Sequence, residues 1–195
     1  MDNAIIRSHP RSGLHMLRLG LYILAGHDTT LPYDEIWGSS KIPAYDHRGN
    51  LPNSVAYNQQ VLVLRDYHVL WSTYRHPDTI APPGPYGLQI SGYCSLLNNW
   101  LQTPSSQRYL VYFEDLLSNN EVYCEVSNFL GMAYDKEKVD FEFLRTETRR
   151  LYNEAGHVAS AKQEITAHVA ENLRRKITRM VGTDTFDKYL ARYAV

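Results

Sequence analysis

The feature that most constrains the fold is the stretch from Ala4 to Gly26. A short apolar run, Ala4-Ile5-Ile6-Arg7-Ser8, fits a buried strand. A breaker cluster follows at once: His9-Pro10-Arg11-Ser12-Gly13. The apolar period then switches to that of a helix, with Leu14, Leu17, Leu21 and Leu24 on one face, and Gly26 stands where a helix stop is expected. A strand running through a tight loop into a buried helix gathers free N–H groups and the positive helix dipole at one point. Arg11, Ser12 and Gly13 add a guanidinium, a hydroxyl and room for close approach, which makes an anion cradle. It is not a kinase phosphate loop, because the GxxxxGK signature is absent.

The rest of the chain repeats the alternation. Val61-Leu62-Val63-Leu64 reads as a second strand, leading through Arg65-Asp66 into a helix over about 69–76. A helix over 87–101, a strand over 109–113 and a helix over 119–130 follow, and the remainder from about 135 reads as mostly helical. Residues 27–60 read as irregular, and the proline-rich 77–85 as a loop or lid. Strands alternating with helices imply a single domain over 1–195 of the three-layer α/β/α class with a central parallel sheet, and a site outside the strand C-termini. Arg65 and Ser72 then face the same crevice as the first loop and form a second anion site.

Composition narrows the partners. Lys and Arg total 20 against 21 for Asp and Glu, so no global positive field points to nucleic acid. No apolar run approaches the roughly 20 residues of a membrane span. Two cysteines are too few for a disulfide framework, and no metal-ligand spacing is present. A cytoplasmic setting is expected. Tyrosine is abundant, with 15 copies against 5 Phe and 3 Trp, which suits a pocket that stacks on rings and offers hydroxyls.

Ser8-His9-Pro10-Arg11-Ser12-Gly13 resembles the 5′-phosphosulfate loop of the sulfotransferases that use 3′-phosphoadenosine 5′-phosphosulfate (PAPS). The segment from Val63 to Tyr74 resembles their 3′-phosphate segment. Tyr112-Phe113-Glu114-Asp115 is similar to their Tyr-Glu-Asp strand end, and Phe129-Leu130-Gly131 to the Phe-Leu-Gly beyond it. The resemblance continues weakly over 154–171, through Gly156, Lys162, Thr166 and Glu171. It implies a P-loop-like sulfotransferase fold and in-line transfer of a sulfuryl group from PAPS to a hydroxyl or amine, leaving PAP, without a metal. Pro10, Arg11, Ser12, Gly13, Leu14, His15, Arg65, Ser72, Phe113 and Gly156 are the implied nucleotide-binding positions. The resemblance further implies that Arg11 stabilises the leaving phosphate and that His47 is the base, with Glu35 and Asp46 in reserve.

Several positions depart from the family pattern. Leu14 and His15 replace hydroxyl residues, Phe113 replaces a Tyr, and Tyr67 stands where Pro is common. The Arg65–Ser72 spacing is one residue short. Glu154 and Ala155 replace an Arg-Lys clamp, for which Arg149 or Arg150 are the candidates to compensate. Trp37, Tyr45, Tyr86 and Tyr93 are expected to line the pocket of a small acceptor, ring-bearing or cationic. A homodimer stays open, since Ala167 replaces a Val of the family's dimer motif. Two other readings also stay open: a PAP-binding module without turnover, and a P-loop-like kinase.

Overall fold

The computed structural model describes residues 3–46, 57–72, 89–135, 140–154 and 165–194. Its centre is a parallel sheet of β1 (Ala4–Ser8), β2 (Ala44–Asp46), β3 (Gln59–Leu64) and β4 (Arg108–Tyr112), in the order β2-β1-β3-β4. Parallel strands covered on both faces need apolar side chains on both, and β1 and β3 are accordingly near-continuous apolar runs. Alternation divides them between two cores. Ile6, Val61, Val63 and Val111 face one side, whereas Leu62 and Leu64 face the other.

On the first side lie α1 (Leu14–Leu24), α2 (Tyr33–Trp37), α5 (Phe113–Ser118), α6 (Glu121–Phe129) and α7 (Phe141–Glu154), which contribute Leu17, Ile36, Leu116, Val126 and Leu151. The second side holds α3 (Tyr67–Ser72), α4 (Ile90–Leu101), α8 (Ala167–Val181) and α9 (Thr183–Tyr189), with Leu70, Leu97, Ile177 and Phe186 in the core. The expected three-layer α/β/α architecture is therefore present. Among the described residues, no helix is long and apolar enough to cross a membrane.

Two elements correct the sequence reading. The stretch 27–60 is not wholly irregular, since it contains α2 and the edge strand β2. The last strand ends at Tyr112 because Phe113 already begins α5. β2 has no apolar run, and an ion pair reinforces its backbone pairing with β1. Arg7 on β1 stands in register with Asp46, and its Nη1 lies 3.3 Å from Asp46 Oδ2, with the two side chains 0% and 6% exposed. A cation at that depth requires such a partner. Asp46 is consequently committed to Arg7, which removes it as a reserve base.

Thr166, which the resemblance matched to a dimer motif, has a local task. Its Oγ1 accepts the Val169 N–H at 3.3 Å and caps α8. Thr166→Ala should lower stability by about 1 kcal/mol, read as a lower urea midpoint at unchanged slope.

Candidate anion and acceptor site

Parallel crossovers bring the C-terminal ends of β1 and β3 to one edge of the sheet, where the loops 9–13 and 65–66 meet. The first loop is tightly folded. The Ser12 N–H donates to the His9 carbonyl at 3.0 Å, and His9 Nδ1–H donates to the Pro10 carbonyl at 3.1 Å. Arg11 holds φ 71°, the one positive φ outside glycine among the described residues. For an L-residue this costs about 1–2 kcal/mol, and such strain collects at ligand clamps. Gly13 follows at φ 93° and opens α1. A Cβ on Gly13 would overlap the Phe113 ring, so glycine is required there both by conformation and by space.

Arg65 closes the other side. Its Nη1 donates to the Arg11 carbonyl at 2.7 Å, and its guanidinium carbon lies 4.3 Å above the Phe113 ring. Burial lowers its pKa and Glu114 counters that shift, while Arg11 is close enough to repel it. Two cationic residues from two strand ends thus meet at one loop, with Arg65 on an aromatic floor. Ser12 is fully buried, and its Oγ has no hydrogen-bond partner among the described residues. A buried hydroxyl without a partner carries a penalty of about 1–3 kcal/mol, which an acceptor arriving at the loop would remove.

Beside the cradle lies a ring cluster. His15, in the first turn of α1, stacks on Trp37 with centroids 4.1 Å apart and 8° between planes, and its Nδ1 is hydrogen-bonded to the Tyr33 hydroxyl. The Arg18 guanidinium carbon lies 4.0 Å from the Trp37 centroid and 4.5 Å from that of Tyr45. Two groups at such distances cannot share one face, so Trp37 is sandwiched between His15 and Arg18. Arg18 is itself buried and donates to the Pro43 and Trp37 carbonyls, both at 3.2 Å. Burial pushes its pKa down to about 10, which leaves it a cation at neutral pH. Tyr152 on α7 meets His15 edge-on at 6.3 Å and also interacts electrostatically with Arg65, so it links the rings to the arginines.

No known protein-family model matches this chain, and no curated protein matches it.

The expected site residues fall into three groups. Arg11, Ser12, Gly13, Arg65 and Phe113 come together as one cradle, with Pro10 beside it. His15, Trp37 and Tyr45 also come together, although Trp37 offers its edge rather than a face; Tyr45 is 40% exposed. A second group serves differently from the expectation. Leu14 puts its side chain into the core, leaving only its backbone at the helix start, where first-turn N–H groups lack helical acceptors. The Ser72 hydroxyl donates to the Val69 carbonyl at 3.0 Å and so faces its own helix. Tyr93 is 1% exposed and lines no acceptor pocket; its hydroxyl donates to the Arg65 carbonyl at 3.0 Å, beneath the site. Arg150 is held by Glu147, Glu154 and the Thr29 carbonyl, which occupies it as a substitute clamp. His47, Tyr86 and Gly156 lie outside the described residues.

Sequence reasoning missed Arg18, Tyr33 and Tyr152, and it quoted Glu114 in the strand-end motif without giving it a role. A signal existed for Arg18, since a single charge inside Leu14–Leu24 demands a polar partner.

Proposed function

We propose that the chain is a PAPS-dependent sulfotransferase of the P-loop-like type, acting on a small ring-bearing acceptor. The observation that carries this reading is the bond from the Arg65 guanidinium to the Arg11 carbonyl, which joins the ends of two parallel strands at one glycine-pinned loop. Two basic residues from two strand ends suit a ligand with two anionic groups. The 5′-phosphosulfate would lie on the loop and the α1 N-terminus, taking the Ser12 hydroxyl. The 3′-phosphate would lie toward Arg65, and the base against Phe113. In the transfer, the bond from sulfur to the phosphate oxygen breaks as the bond to the acceptor oxygen forms. Arg11 meets the charge that grows on the leaving phosphate, and the acceptor proton passes to the base, His47 on the family pattern.

The ring cluster disfavours a cationic amine as the acceptor. Arg18 already occupies the cation position between Trp37 and Tyr45, and a second positive charge there would be repelled. A second reading keeps the nucleotide and drops the turnover. It is favoured by Leu14, whose buried side chain offers no hydroxyl to the sulfate end.

Calorimetry with PAP, 5′-AMP and ADP tests the nucleotide assignment. PAP should bind roughly 10- to 100-fold tighter than 5′-AMP, the ratio expected of charge-assisted bonds to the extra phosphate. Equal affinities would remove Arg65 from the assignment. Incubation with labelled PAPS and a panel of phenols, amines and glycans then separates transfer from mere binding.

A further inference from the structure

One network touches the cradle from behind and has no part in the scheme above. Tyr193, in the turn Ala191–Tyr193, is buried, and its hydroxyl donates to Glu114 Oε2 at 2.7 Å. The other carboxylate oxygen, Oε1, accepts the Asp66 N–H at 3.3 Å. That N–H belongs to the peptide joining Arg65 to Asp66, and the carbonyl of the same peptide is taken by the Tyr93 hydroxyl at 3.0 Å. Both polar groups of the peptide that carries Arg65 out of the sheet are therefore held by side chains. The turn is itself fastened. Arg192 makes a two-pronged bond to Asp115 at 3.1 and 3.2 Å and lies 4.1 Å from the Tyr112 ring centroid.

We infer that the 191–193 turn is a latch that fixes the direction of Arg65 through Tyr193 and Glu114, making Tyr193 a positioning residue for the anion at Arg65. The inference rests on the reading of Arg65 as a phosphate holder. Glu114 is well placed for this task. It follows Phe113, the ring beneath the Arg65 guanidinium, so one short helix start carries both the floor and the peptide anchor. The loop 9–13 keeps its own Ser12 N–H to His9 carbonyl bond when the latch is loosened, although it loses part of its tie to Arg65. The expected effect is therefore largest at the 3′-phosphate.

The test compares PAP with 5′-AMP on the full chain, since the two differ only in that group. Tyr193→Phe keeps the ring and removes the hydroxyl. It should weaken PAP about 3- to 10-fold and 5′-AMP clearly less, a selective loss that general destabilisation does not produce. Equal weakening of both nucleotides, or of neither, overturns the latch. A wild-type chain that binds the two alike overturns the underlying assignment of Arg65 instead, and the two failures are thereby distinguished. If Tyr193→Phe does not fold, Arg192→Ala makes the same test, because it releases the turn from Asp115 and leaves Glu114 and its charge in place. The same selective loss supports the latch, and its absence overturns it.

Discussion

A Gly13→Ala chain should be about 2–5 kcal/mol less stable than the wild type and melt roughly 5–15 °C lower. Two costs combine at this position. Alanine at φ 93° carries the left-handed penalty, and its methyl group overlaps the Phe113 ring. The ring cannot move freely, because Arg65 lies on it and reaches from there to the Arg11 carbonyl. Nucleotide affinity should therefore fall with stability. A double-mutant cycle separates the two causes. Phe113→Ala should relieve the overlap and leave the backbone cost, so the pair should be less damaging than the sum of its parts. A Gly13→Ala chain with an unchanged melting curve would remove the close approach of loop and ring from the account.

Arg11→Ala should lower turnover by about 10²–10³ while the fold is retained, the amount associated with one preorganised donor at a developing negative charge. The contact that ties the loop to Arg65 uses the Arg11 carbonyl, so truncating the side chain leaves that tie in place. Arg11→Gly makes the sharper test. It should abolish transfer to the same degree, yet stabilise the chain by up to about 1 kcal/mol, because glycine adopts φ 71° without strain. Opposite signs in stability and turnover are the expected signature of strain held for function. The checks are steady-state transfer from labelled PAPS and a thermal melt. Full turnover in either variant would remove Arg11 from the chemistry.

The parts of this fold legible in the sequence are those built from contiguous patterns. β1 and β3 are buried on both faces and appear as apolar runs; the face of α1 repeats at helical spacing; the cradle is one uninterrupted segment, the residue just past β3 and the residue just past β4. β2 left no such trace. Two of its three residues are exposed, and it is fastened by Arg7–Asp46, a pairing that no local window reveals. The sandwich around Trp37 was hidden for a similar reason. The tryptophan was legible as an aromatic near the site, but only the packing of α1 against α2 shows that His15 and Arg18 take its two faces. Tyr93 misled because an amphipathic tyrosine reads alike whether its ring lines a pocket or supports a backbone carbonyl from below. The Tyr193–Glu114–Asp66 chain joins residues from three distant segments, and topology alone brings them together.

The sheet order bears on how the chain reaches this state. Every rung is parallel, so no hairpin can start it. Ala4 must wait for Gln59, and Gln60 for Arg108, before either pairing exists. On a ribosome, β1 therefore emerges with its β3-facing edge bare and acquires that neighbour only after a long stretch of synthesis. Refolding from denaturant should be slow for a chain this size and sensitive to concentration, since a bare apolar edge recruits other copies as readily as its own partner.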